Sequence, residues 1–92
     1  MNRPDARETV EAVWRIESAR IVGALTRIVG DVGRAEDFAQ EALVIALEEW
    51  PDSGVPDNPG AWLMTAARRR AIDDLRRRKR FDEKEEEVAL EL

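Results

Sequence analysis

Residues 58–80 read NPGAWLMTAARRRAIDDLRRRKR, and the fold follows from how this stretch divides around a helix. Asn58 is a good N-cap, and Pro59 suits the first helical position, where a missing N–H costs nothing. At about 100° per residue, Arg76 and Arg80 project within about 20° of Arg69, and Arg77 within about 80°. Leu63, Ala67, Ala71 and Leu75 project to the other side. One face is basic and the opposite face is apolar, as in a helix that packs on a core and meets solvent or a ligand. Trp62 falls on the basic side, before Arg69, and Arg70 borders it.

An arginine row with an aromatic ring at one end suits a phosphate backbone with an exposed base to stack on. The same run also suits the negative end of a helix dipole, or a solvated face neutralised by Asp82–Glu87. Trp62 taken alone fits a core position better than a base platform.

Upstream, residues 51–60 hold three prolines and two glycines, so an irregular loop is expected there. A second helix is expected from about Arg34 to Trp50, ended by Pro51, with Glu36 and Asp37 in its first turn. It is apolar on more than one side. Phe38, Ala42 and Ile45 form one stripe, and Ala39, Leu43, Leu47 and Trp50 form another. The surplus is either a wide core contact or a partner surface.

A first helix is expected from Pro4-Asp5, with Asp5 as cap and Glu8 three residues on. Val10, Val13, Trp14, Ile21, Leu25, Ile28 and Val29 recur at helical spacing, and Gly30 is the natural stop. The connection is then Asp31-Val32-Gly33. Downstream, residues 82–92 carry six acidic side chains and one lysine. They read as either a short fourth helix capped by Asp82 or an acidic linker. The fold class is all-α: a compact three-helix domain over residues 1–81, then the acidic segment 82–92.

Composition narrows the function. The net charge of −5 hides three regimes: −6 over residues 1–60, +6 over 61–81 and −5 over 82–92. The basic middle is the candidate for nucleic-acid contact. Without cysteine or histidine the chain has neither the usual zinc and haem ligands nor the common nucleophile pairs. No cofactor, metal, catalytic residue or small-molecule substrate is expected. No apolar run approaches the roughly 20 residues of a membrane span, so the expected compartment is the cytoplasm.

Two segments together resemble a known family. Ala35-Glu36-Asp37-Phe38-Ala39-Gln40-Glu41-Ala42-Leu43 is similar to the Asp-Leu-x-Gln-Glu signature of region 2.2 in bacterial sigma factors. Asn58-Pro59-Gly60-Ala61-Trp62-Leu63, with Ala66 to Arg77 after it, resembles regions 2.3 and 2.4. The short first helix points to the extracytoplasmic-function (ECF) group of the sigma-70 family. The resemblance covers roughly residues 10–80.

The resemblance implies a domain that docks on the clamp helices of the RNA polymerase β′ subunit. It also implies recognition and melting of the promoter −10 element through its non-template strand. Carried over by position, Asp37, Gln40 and Glu41 would contact polymerase, with Leu43 and Leu47 as apolar neighbours. An acidic strip beside apolar side chains suits a basic helical partner on physical grounds as well.

Ser53, Gly54, Val55 and Asp57 lie where the family holds a flipped base, although a plain connector reads the same way. Trp62 would sit where the duplex separates, and Arg69, Arg70, Arg76, Arg77 and Arg80 would hold DNA. Many members carry asparagine at the position of Arg69. An anti-sigma factor is a further partner that the family allows. Nothing after residue 80 resembles the region 4 helix-turn-helix, so a fragment ending in the inter-domain linker is expected. The competing readings are a helical protein-interaction or regulatory module without DNA binding, and an RNA-binding helical domain.

Overall fold

A computed structural model of the chain describes residues 5–91. Pro4 and Leu92, which the sequence places at the start of the first helix and in the acidic tail, lie outside the described residues.

Asp5 opens the first helix, its carboxylate accepting the Glu8 N–H at 2.7 Å. Helix α1 then runs Ala6–Val29. Gly30 closes it in the left-handed conformation (φ 73°), donating its N–H to the Thr26 carbonyl at 2.8 Å.

Helix α2, Val32–Ser53, starts two residues earlier than the sequence suggested. Asp31 is the cause: its side chain accepts the Arg34 N–H at 2.9 Å and draws Val32 and Gly33 into the first turn. Pro51 does not end this helix. It sits in the last turn, where the chain closes by other bonds. The Gly54 N–H reaches the Trp50 carbonyl at 2.9 Å, and the Ser53 hydroxyl reaches the Glu49 carbonyl at 3.0 Å. The irregular connection therefore shortens to residues 54–58.

Asn58 caps the third helix as expected, accepting the Ala61 N–H at 3.1 Å. Helix α3 then runs unbroken over Pro59–Glu91. The expected boundary at 81/82 falls inside it, and the acidic segment is neither a separate fourth helix capped by Asp82 nor an irregular linker. Glu, Lys, Ala and Leu are strong helix formers, and no glycine or proline interrupts them.

All three helix pairs are in contact. The buried core comprises Val10, Ile21 and Leu25 from α1, Ala35, Ala39, Ala42, Ala46 and Trp50 from α2, and Leu63, Ala67 and Ala71 from α3. Six of these eleven are alanines, so backbones approach closely along the α2 seam. The bulkier Phe38 and Ile45 flank the seam on one side, and Leu43 and Leu47 on the other, all half-buried. The surplus apolar surface of α2 is thus largely core wall.

Arg34 at the start of α2 forms an ion pair with Asp74 of α3, which also takes Arg78 at 3.1 Å. The Arg34 guanidinium lies 5.8 Å over the Phe38 ring. Beyond Leu75 every described residue of α3 is exposed. The molecule is correspondingly long, 70 × 25 × 18 Å.

Candidate functional site

Helical periodicity on α2 brings Asp37, Gln40 and Glu41 to one exposed strip. With Val44, Ile45 and Glu48 they line a shallow groove whose far wall is Arg70 of α3. Leu43 and Leu47, which the sequence grouped with them, are elsewhere. They lie on the α1 side of the helix and line a second groove with Arg7, Glu11, Trp14, Arg15 and Ser18. The apolar side chain that does accompany the acidic strip is Val44, half of whose surface is exposed. Its position, seven residues after Asp37, was the available signal.

The aromatic end of the basic face is built at the α2–α3 junction. Trp62 is half-buried and meets Trp50 edge to face, with ring centroids 5.2 Å apart at 72°. Trp50 is nearly fully buried, and among the described residues its indole nitrogen finds no hydrogen-bond partner. Its contribution is the apolar area of its ring, which fixes Trp62 from behind. The exposed part of Trp62 shares a groove with Ile45, Glu49, Thr65, Ala66, Arg69 and Arg70. Trp62 is therefore both a core side chain and a groove wall, and the two sequence readings of it are compatible.

Further along α3, Arg76, Arg77 and Arg80 are brought together around another shallow groove. Asp73, Lys79 and Glu83 line it with them, so the arginine row is not purely basic. Arg78 belongs to the same run but serves differently, tied to Asp74 on the other side of the helix.

The loop residues are exposed. Ser53 belongs to the last turn of α2, its hydroxyl bonded back to Glu49. Gly54 follows at φ 89° and ψ 159°, a conformation that side-chain-bearing residues avoid. It turns the chain sharply out of α2 and leaves Val55 and Asp57 on the surface between α2 and α3.

The acidic groove and the Trp62 groove are adjacent, sharing Ile45 and Arg70 as a common wall. Among the described residues no helix is long and apolar enough to cross a membrane. Fold and surfaces together define a three-helix domain in which an acidic strip abuts an arginine- and tryptophan-lined face.

The sigma-70 region 2 family matches residues 13–81, and the chain belongs to that family. A probable ECF RNA polymerase sigma factor, SigI, from Mycobacterium tuberculosis (strain H37Rv) is 33% identical over 82 residues, 89% of this chain and 28% of that protein. The ECF RNA polymerase sigma factor SigK from Mycobacterium sp. (strain KMS) is 36% identical over 69 residues, 71% of this chain and 34% of that protein. An uncharacterised protein from Rhizobium meliloti (strain 1021) is 42% identical over 59 residues, 64% of this chain and 14% of its own length. The chain thus spans a third or less of most of these relatives. No solved structure matches it significantly.

Proposed function

We propose that the chain serves transcription initiation as the region 2 domain of an ECF sigma factor. In this reading it docks on the β′ clamp helices of RNA polymerase and engages the −10 element as single-stranded DNA, in the cytoplasm and without catalysing a reaction. The observation that carries the reading is the shared wall at Ile45 and Arg70. It makes the acidic strip and the arginine–tryptophan face one continuous surface. A polymerase helix on Asp37, Gln40, Glu41 and Val44 would then deliver DNA directly to Trp62 and Arg69.

Each half has suitable chemistry. The carboxylates orient a basic partner, and Val44 supplies apolar area that is desolvated on docking. Arg69, Arg70, Arg76, Arg77 and Arg80 supply phosphate contacts without base information, while Trp62 and the turn at Ser53–Asp57 offer a stacking edge and backbone groups for a displaced base. Leu43 and Leu47 support the strip from the α1 side rather than touching the partner.

The experiment is capture of core polymerase by the immobilised chain. Reversing both charges, Asp37→Lys with Glu41→Lys, is expected to reduce capture at least tenfold, with the helical circular dichroism unchanged. Undiminished capture would overturn the docking assignment. Loss of helix in the double variant would be resolved by Val44→Glu, which alters the same strip at an exposed site.

A further inference from the structure

Residues 76–91 extend α3 beyond the core as a helix exposed on every side. The acidic half, 82–91, lies wholly outside the family match, which ends at residue 81. An isolated polar helix is held by side-chain pairs at i,i+4 or by a partner. Among the described residues no side chain from 79 to 91 forms an ion pair. Like charges also recur at i,i+4, as at Arg76/Arg80, Glu83/Glu87 and Glu87/Glu91, which opposes the helix.

Against this charged background one face is apolar. Phe81 and Val88 are exposed on 63% and 52% of their surface. Seven residues apart, they line one shallow groove with Lys84, Glu85 and Ala89. Such a stripe on a projecting helix is the usual seat of a second helix.

We infer that the occupant is a second copy of this same helix, packed antiparallel across Phe81. The argument is charge complementarity. Residues 76–80 carry five basic side chains and no acid, while 82–87 carry five acids and one lysine. Phe81 separates the two blocks. An antiparallel copy centred there sets each basic block against an acidic one, twice, with the two Phe81 rings at the two-fold axis. A parallel copy would set like on like.

The helical positions fix one contact in detail. Arg78 and Glu85 flank Phe81 on the same side of the helix, three residues before it and four after. In the antiparallel pair each Arg78 faces Glu85 of the second copy, completing a carboxylate pair in addition to its own Asp74. The other flank brings Lys84 near Arg77, so selectivity rests on the Arg78–Glu85 side. Arg76 and Arg80 project away from the seam, whereas Arg77, which the proposed function assigns to DNA, lies on its flank.

The test is sedimentation equilibrium of the whole chain at low salt, up to roughly 1 mM. A monomer–dimer equilibrium is expected, weakened at least tenfold by high salt and by Phe81→Ser. Arg78→Glu alone and Glu85→Arg alone each place like charges at both symmetric contacts and are expected to be monomeric. An equimolar mixture of the two satisfies both contacts at once and is expected to dimerise as tightly as the unaltered chain. Two misfolded variants could not rescue each other in this way. An unaltered chain that stays at 10.5 kDa throughout, or a mixture no more associated than its components, would overturn the inference. Either result would leave the stripe to a different partner.

Discussion

Asp74 joins two helices at the point where α3 leaves the core, and its removal has a calculable cost. Its carboxylate receives Arg34 from the first turns of α2 and Arg78 from the next turn of α3. A charge-assisted hydrogen bond is worth about 1.5–3 kcal/mol when shielded and about 0.2–1 when exposed. Arg34 and Asp74 lie between those limits, with side chains 23% and 26% exposed. A value near 1.5 kcal/mol is appropriate for that pair. The Arg78 bond is 59% exposed on its basic side and adds only about 0.3 kcal/mol.

Asp74→Ala should therefore cost about 2 kcal/mol, equivalent to a fall in Tm of roughly 10 °C for a domain of this size. Arg34→Ala should cost somewhat less, because Asp74 keeps Arg78, although the contact with the Phe38 face is also lost. The decisive measurement is a double-mutant cycle by urea unfolding, followed by far-ultraviolet circular dichroism. Asp74→Ala and Arg34→Ala should be coupled by about 1.5 kcal/mol. A coupling indistinguishable from zero would show that the bridge is a surface pair of no structural weight, and the reasoning from partial burial would fail.

Two further outcomes are expected. Gly54→Ala should destabilise the chain by about 1–3 kcal/mol in the same unfolding assay, because its backbone occupies a region reserved for glycine. An unchanged midpoint would mean that the turn after α2 relaxes freely. If the arginine row grips phosphates, Arg76→Ala with Arg80→Ala should flatten the dependence of single-stranded DNA affinity on salt. The log–log slope should fall by about 1.4, from about 0.7 per lost contact, and an unaltered slope would remove those two residues from the interface.

The sequence was most informative where local chemistry decides structure. Asp5, Gly30 and Asn58 were recognisable as caps because each satisfies a backbone group within four residues. The basic and apolar faces of α3 followed from spacing alone. Two features have a different origin. Pro51, expected as a stop, lies inside α2, and the segment from Asp82, expected as a separate helix or linker, continues α3, because hydrogen bonds and propensities carry a helix through segments whose composition suggests a boundary. The α2 seam was hidden for another reason. Alanine is a weak apolar signal, and its burial depends on neighbouring helices that no single-helix pattern contains. For the same reason the separation of Leu43 and Leu47, on the α1 side, from Asp37, which shares its groove with Val44, is visible only in the packed structure.

The uninterrupted course of α3 has a mechanical consequence. Its base is wedged among α1 and α2 up to Ala71, and Asp74 pins it as it emerges. The sixteen residues beyond Leu75 then form a rigid arm about 24 Å long, at 1.5 Å per residue. A tilt of about 10° at the pin displaces the tip by roughly 4 Å, comparable to the width of a side chain. Small strains at the Arg34–Asp74 fulcrum are thus geometrically amplified at the far end, and whatever grips that end has leverage over the first turns of α2, where the acidic strip begins.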